Sequence, residues 1–416
     1  MGLTGIEPVV MPSFTAQALL YLLFGISLGT CSGLIPGLHA NNFALFLAGI
    51  APLLPGQPIM VGLAMLAAGV VHTFLDAVPA LTIGVPDADM AVAALPGHRL
   101  VIEGRGMEAL RLSALGSGIA VLLAIPLAIP ITLAMIRWYP FLQQHMPLVL
   151  GSVALVLFLT EPTRRAVAGG VISFLTSSAL GFLILDLDPA APLDGGGVLA
   201  PLFAGLFGTP VLIDAMRGGG VPPQEDAEIH TPPRGVFLPA SSGSAAGAVV
   251  GYLPGVSSAI AAVIALVLTP SEDPDRDFIV ATSGVNTANT IFALFALVAL
   301  GAPRTGVLVA IEQADVPINL PMMLLGVAIA AAAGFTLVII VGDWYLITVG
   351  SVDYTLICGG ILALLVVLSF LFAGVVGVVI FIVSSLLGFI PVRIGGKRVH
   401  LMGCLMGPIM YWTWSY

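Results

Sequence analysis

The sequence predicts an all-α polytopic membrane protein with about 9–12 transmembrane helices, arranged as two repeated halves with Pro-Gly-broken or re-entrant helices. Three observations carry this reading: a scarcity of charge, apolar runs in close succession, and a Pro-Gly pattern that occurs twice. Of 416 residues, 58% are hydrophobic and 8% are charged, and mean hydropathy is +1.10. A water-soluble domain carries about a quarter charged residues, because its surface must face water. Lipid removes that requirement.

The apolar runs lie at 14–31, 38–54, 59–86, 112–136, 146–160, 166–184, 197–213, 238–269, 278–301, 319–341, 353–372, 373–390 and 400–416. About 20 helical residues cross the hydrocarbon, so several of these are comfortable spans. The first run opens near Phe14 with no basic segment ahead of it, and reads as a retained span. Arg and Lys gather at Arg99–Arg111, Arg164-Arg165, Arg217–Arg234 and Arg393–Arg398. The positive-inside rule makes these segments cytoplasmic and would turn the acidic stretches Asp186–Asp194 and Glu272–Asp277 outward. The longest polar segment, 217–239, divides the chain into an N-terminal membrane half (1–216) and a C-terminal one (240–416).

The halves resemble each other at their breaks. "GTCSGLIPGLHANNFALFLAG" (29–49) and "GAVVGYLPGVSSAIAAVIALV" (247–267) share G-x-x-P-G, a small or polar trio, and an apolar run. A second polar patch follows each, "GVVHTFLDAVPALTIGVPDAD" (69–89) and "GVNTANTIFALFALVALGAPRTG" (284–306). Paired interruptions at corresponding places in two halves point to a transporter's binding site.

Pro36 and Pro254 each free a carbonyl in the preceding turn, and Gly37 and Gly255 let the backbone turn. A helix starting after such a break presents free amides and its positive dipole end, which suits a carboxylate. The competing reading is an ordinary proline kink in a helix bundle. His39, Asn41 and Asn42 follow the first break, Ser257 and Ser258 the second. Their side chains fit solute oxygens, or else hydrogen bonds between helices. Asn286, Thr287, Asn289 and Thr290 are too polar to face lipid, and Asn286 and Asn289 share a helix face. In the first half His72, Thr73 and Asp76 occupy the matching patch, with His72 and Asp76 at i, i+4. Asp76 reads as an ion- or proton-coupling group, as a partner of His72, or as a residue at the membrane edge. Asp87 is a further ion-coupling candidate, and Arg304 could meet an anion or reach the interface.

At these residues the chain resembles the TctA family, the large permease subunit of tripartite tricarboxylate transporters, and more closely its shorter archaeal members. The resemblance rests on "GLIPGLHANNFAL" (34–46), "GYLPGVSSAIAAV" (251–263) and "GVNTANTIFALFALVALGAP" (284–303). The first-half turn departs from the family pattern, with Asp87 after Pro86. The resemblance implies a permease that moves organic anions inward on a cation gradient. In bacterial systems a small membrane subunit and an extracytoplasmic solute-binding protein assist it. No cofactor is implied beyond a bound sodium ion, should sodium be the coupling ion; a homo-oligomer is left open.

Other classes lack support. Cys31, Cys358 and Cys404 form no CxxC pair, the six histidines form no HxxxH or HExxH, and no Gly-rich loop ends in GK[ST]. Thirteen scattered cations make no nucleic-acid footprint. A lipid-modifying enzyme would need clustered acids, and "EDPDRD" (272–277) is the one candidate. A passive channel would need a continuous polar pore.

Overall fold

The computed structural model describes residues 13–35, 44, 47–48, 51–84, 94–192, 197–216, 222–224, 229, 231–253, 256, 258–267, 273–351 and 353–415. The fold is all helical. The helices are α1 (Phe14–Leu34), α2 (Pro58–Thr82, continuous through Asp76), α3 (Ala94–Ile102), α4 (Gly106–Gln144), α5 (Met146–Leu159), α6 (Arg164–Ile184) and α7 (Leu199–Asp214, with a π turn). They continue as α8 (Pro233–Tyr252), α9 (Ser258–Val267), α10 (Pro274–Leu300), α11 (Gly306–Gln313), α12 (Leu320–Ser351), α13 (Tyr354–Ile394) and α14 (Gly403–Ser415). Among the described residues, seven helices are long and apolar enough to cross a membrane: α1, α2, α4, α6, α10, α12 and α13. The chain is a multi-pass membrane protein. α8 starts at Pro233, inside the polar stretch 217–239, because proline at the first helical position loses nothing.

Ends are set by local chemistry. Ser13, Thr163, Asp273 and Asp353 cap α1, α6, α10 and α13 through their side chains. Gly301 and Gly395 close α10 and α13 in the left-handed conformation. α13 is not one rod: Ala373 and Gly374 leave helical geometry, and Gly374 has φ +59°. A Cβ at Gly374 would land on the carbonyl oxygen of Ala190. Gly374→Ala should therefore cost about 1–3 kcal/mol from backbone strain alone. A thermal unfolding midpoint in detergent equal to wild type would refute this.

Glycines set the closest packing. Gly25 faces Ala64, Gly29 faces Ala68 and Val71, and Gly33 faces Leu75. Rising numbers on both helices mean that α1 and α2 run parallel. Gly243, Gly247 and Gly251 likewise face Ala281, Ala288 and Phe292, so α8 and α10 also run parallel. Two parallel neighbours require the chain to come back between them, and α9 is the described part of the second return. α4 runs with α10, since Glu108 meets Arg276 and Gly116 meets Val280. α12 runs with α2, since Gly326 meets Leu63 and Gly334 meets Phe74. Arg111 on α4 pairs with Asp343 on α12, while Gly118 meets Phe335, so α4 and α12 are antiparallel. It follows that α2 and α10 oppose each other. One core joins α1, α2, α3, α4, α8, α10, α11 and α12; a second joins α5, α6, α7, α9 and α14 to parts of α8, α10 and α13.

These directions assign the ends. Arg99, Arg105, Arg111 and Arg276 share one end, joined there by Asp275, Glu108 and Asp343. Chain alternation through α5, α6 and α7 returns the Thr160–Arg165 turn to that end, where α8 starts with Arg234. The same end holds Lys397, bonded to Thr160, and Arg398, paired with Asp214. Arg137 and Arg304 lie at the other. The positive-inside rule makes the basic end cytoplasmic. One expectation is corrected here. Asp273 and Asp275 of the acidic stretch 272–277 do not face outward, because they sit among the arginines of the basic end. The apolar run 238–269 holds two limbs, α8 and the return α9, so the chain ends it on the side where it began.

Candidate functional site at midspan

α2 and α10 are the most enclosed spans, with 89% and 83% of their apolar windows buried in the protein. Polar side chains on them therefore face other helices. Asn286 is the thirteenth residue of α10, about 20 Å along it from the cap. Its Nδ2 donates to Asp76 Oδ2 at 2.7 Å, and both side chains are buried. Next to this bond, Thr287 Oγ1 donates to the Thr73 carbonyl at 3.4 Å, and Thr73 Oγ1 donates to Val70 O at 2.8 Å. A carboxylate and an amide thus meet between the two halves of the chain at membrane depth.

His72 and Asp76 are tied to different helices. His72 Nδ1 lies 3.0 Å from Ser32 Oγ on α1, while the Asp76 carboxylate turns to α10. Asn289, one turn beyond Asn286, is buried, and its Oδ1 has no hydrogen-bond partner among the described residues. Ser258 Oγ, at the first residue of α9, is buried in the same condition. Five residues link Ser258 to Tyr252, so α9 begins within about 20 Å of the level at which Gly251 meets Phe292. Pro36, Gly37, His39, Asn41, Asn42, Asp87, Pro254, Gly255 and Ser257 lie outside the described residues.

The site has supports that sequence reading passed over. Ser32 holds His72. The Tyr252 hydroxyl, just ahead of the second break, meets Thr132 Oγ1 on α4 at 2.5 Å. Ser113 and Ser117, four apart on α4, reach Ser283 at 2.8 and 3.1 Å. Their signal was visible as hydroxyls at helical spacing inside an apolar run, a pattern common to bundles in general. Arg304, at the opposite end from the basic cluster, stacks over the Tyr139 ring at 5.4 Å. Among the described residues no group of three or more His, Cys, Asp or Glu could hold a metal ion.

Amide donors, amide oxygens and hydroxyls at a helix interface can replace the hydration of a small polar solute. Comparison with known proteins bears on what passes here. The chain is 28% identical over 349 residues to an uncharacterized protein of Methanocaldococcus jannaschii, covering 81% of this chain and 83% of the relative. No solved structure matches. The family model of the tripartite tricarboxylate transporter TctA family matches residues 19–403, nearly the whole chain, midspan contact included, and this protein therefore belongs to that family of membrane transport proteins.

Proposed function

We propose that this chain is a secondary transporter permease that moves an organic anion, of the carboxylate class, across the cytoplasmic membrane on a sodium or proton gradient. Alternating access would proceed around a site at the two Pro-Gly breaks, with Asn286, Thr287, Asn289, Ser257 and Ser258 from one half facing Pro36, Gly37, His39, Asn41 and Asn42 from the other. The observation that carries this reading is the buried midspan bond between Asp76 and Asn286, which joins the two polar patches of the sequence. A second supports it: the α1–α2 and α8–α10 pairs have the same glycine-to-helix register and opposite directions, as halves related by inverted repetition would. On this reading the halves are 1–216 and 240–416, joined by 217–239. Sodium, if it is the coupling ion, would be the sole bound cofactor. A small membrane subunit and an extracytoplasmic solute-binding protein are proposed partners, since the family is named for tripartite systems.

The test is uptake of labelled mono-, di- and tricarboxylates into vesicles containing the purified protein, under imposed sodium or proton gradients. The N286A/N289A double variant runs alongside. Gradient-driven uptake by wild type, reduced about tenfold or more in the variant, is the expected result, because two buried polar contacts to solute would be lost. Absence of uptake for every acid would sink the claim that this chain alone moves carboxylates.

A further inference from the structure

We propose that Arg304 captures the anionic solute at the outer mouth of the transport path, its guanidinium stacked on Tyr139 so that its N–H edge receives a carboxylate. This rests on the transport reading above and names the residue that selects for charge.

Position is the first argument. α10 carries Asn286, Thr287 and Asn289, runs outward to Leu300 and closes at Gly301. Arg304 follows three residues later, and three more bring the chain to Val307, whose side chain meets Gly69 on α2. Three residues span at most about 10 Å, and Gly69 lies one turn outward of His72 and Thr73 on the same helix. The turn after α10 therefore comes back toward the helix that carries the first polar patch. Its Arg304 stands within about 15 Å of the level of His72.

The side chain is built into the protein. An arginine that merely reaches the interface extends its stem into the headgroups. Arg304 instead has its guanidinium carbon 5.4 Å from the centre of the Tyr139 ring. Its Nε is buried, and Tyr139 is 8% exposed. Arg137, at the same end and two residues before Tyr139, is exposed by contrast. A guanidinium stacked on an aromatic face keeps its plane fixed and offers paired N–H donors along its edge. That edge matches both oxygens of a carboxylate. The position also runs against the charge bias of membrane proteins. Arg99, Arg105, Arg111 and Arg276 share the cytoplasmic end, and that bias gives no reason for an arginine at the outer one.

The repeat sharpens the point. Gly33 meets Leu75 and Gly251 meets Phe292, matching contacts in the two halves. Nine residues past Leu75 and Phe292 stand Gly84 and Gly301, with φ +72° and +60°. Each opens the same short pattern, "GVPD" (84–87) and "GAPR" (301–304). Because α2 and α10 run in opposite directions, Gly84 lies toward the cytoplasm and Gly301 toward the outside. In sequence the first copy ends in Asp87 and the second in Arg304. A cation in the outer copy concentrates an incoming anion, and the acid of the other copy offers it no equivalent hold.

Uptake of labelled carboxylates by the full chain in oriented vesicles, with solute supplied at the outer face, tests the role. R304Q is expected to raise KM about tenfold or more with kcat within about twofold, as loss of a charge-assisted contact made on binding would. R304K keeps the charge without the fork and should fall between, while R137Q should match wild type. The proposal is overturned if R304Q leaves KM unchanged, if R137Q raises it as much, or if R304Q lowers kcat alone. The second result would mean a general surface charge and the third a structural role. Should R304Q not fold, R304K decides, and a wild-type KM in it overturns the proposal. If wild type takes up no carboxylate, thermal unfolding in detergent with citrate, sulfate or phosphate at fixed ionic strength reads the arginine without transport. A midpoint raised by one of these anions in wild type and not in R304Q keeps the capture site and removes the carboxylate reading. The same response in both proteins, none included, overturns the proposal.

Discussion

Glu108→Ala is expected to destabilise the protein by about 1–3 kcal/mol, the cost of removing the buried carboxylate that two partly buried arginines share. Glu108 is 2% exposed and stands between two arginines. Arg105 Nη2 approaches Oε2 at 2.5 Å, and Arg276 Nε donates to Oε1 at 3.1 Å. The acid lies on α4 and Arg276 on α10, so the pair fastens the cytoplasmic ends of two long helices. Arg276 retains Asp273, which limits the damage on its side. Glu108→Gln keeps an acceptor and should cost less. Chemical or thermal unfolding of both variants in detergent would check this, and an alanine variant as stable as wild type would refute it.

The second large effect concerns the glycine seams. Gly25→Leu and Gly243→Leu should each abolish the folded monomer or leave it strongly depleted on size-exclusion chromatography. At Gly25 an added Cβ falls on the carbonyl of Ala64, and at Gly243 on that of Ala281. Backbone atoms cannot turn aside as a side chain can, so the helices must separate. Overpacking already costs about 1–3 kcal/mol where side chains can yield. Gly359→Leu is the control, because no atom lies within 4 Å of a Cβ there. Equal yields of folded protein from all three variants would show that the seams tolerate widening.

Much of the site was legible because its signal is local. Four polar residues within Asn286–Thr290 stand out in an apolar run whatever their partners are, and so does a lone carboxylate at Asp76. Their meeting was not legible. The two side chains are 210 positions apart, and each patch read separately as half of a repeated pattern. His72, four residues before Asp76, was the nearer candidate partner, yet its Nδ1 is taken by Ser32 across a glycine-lined seam. Spacing shows which residues share a face, and the neighbouring helix decides what that face meets.

The sidedness of Asp273–Asp277 failed for a related reason. Hydropathy sums over a window and carries no direction, so 238–269 looked like one crossing. In the fold α8 ascends and α9 returns within that run. The described arginines of those clusters gather at one end of the fold, and the acids follow them there through ion pairs.

The sequence by itself determined that this protein lives in a bilayer, which segments are apolar enough to lie there, and which few polar residues need an explanation. These depend on the free energy of transferring each segment out of water, a sum over neighbouring residues. Only the tertiary structure decided that α1 and α2 run opposite to α8 and α10, that Asp76 finds Asn286, and that the acidic turn lies among arginines. Those outcomes depend on which helix surfaces fit closely enough to pack, and close fit is a property of two distant segments together.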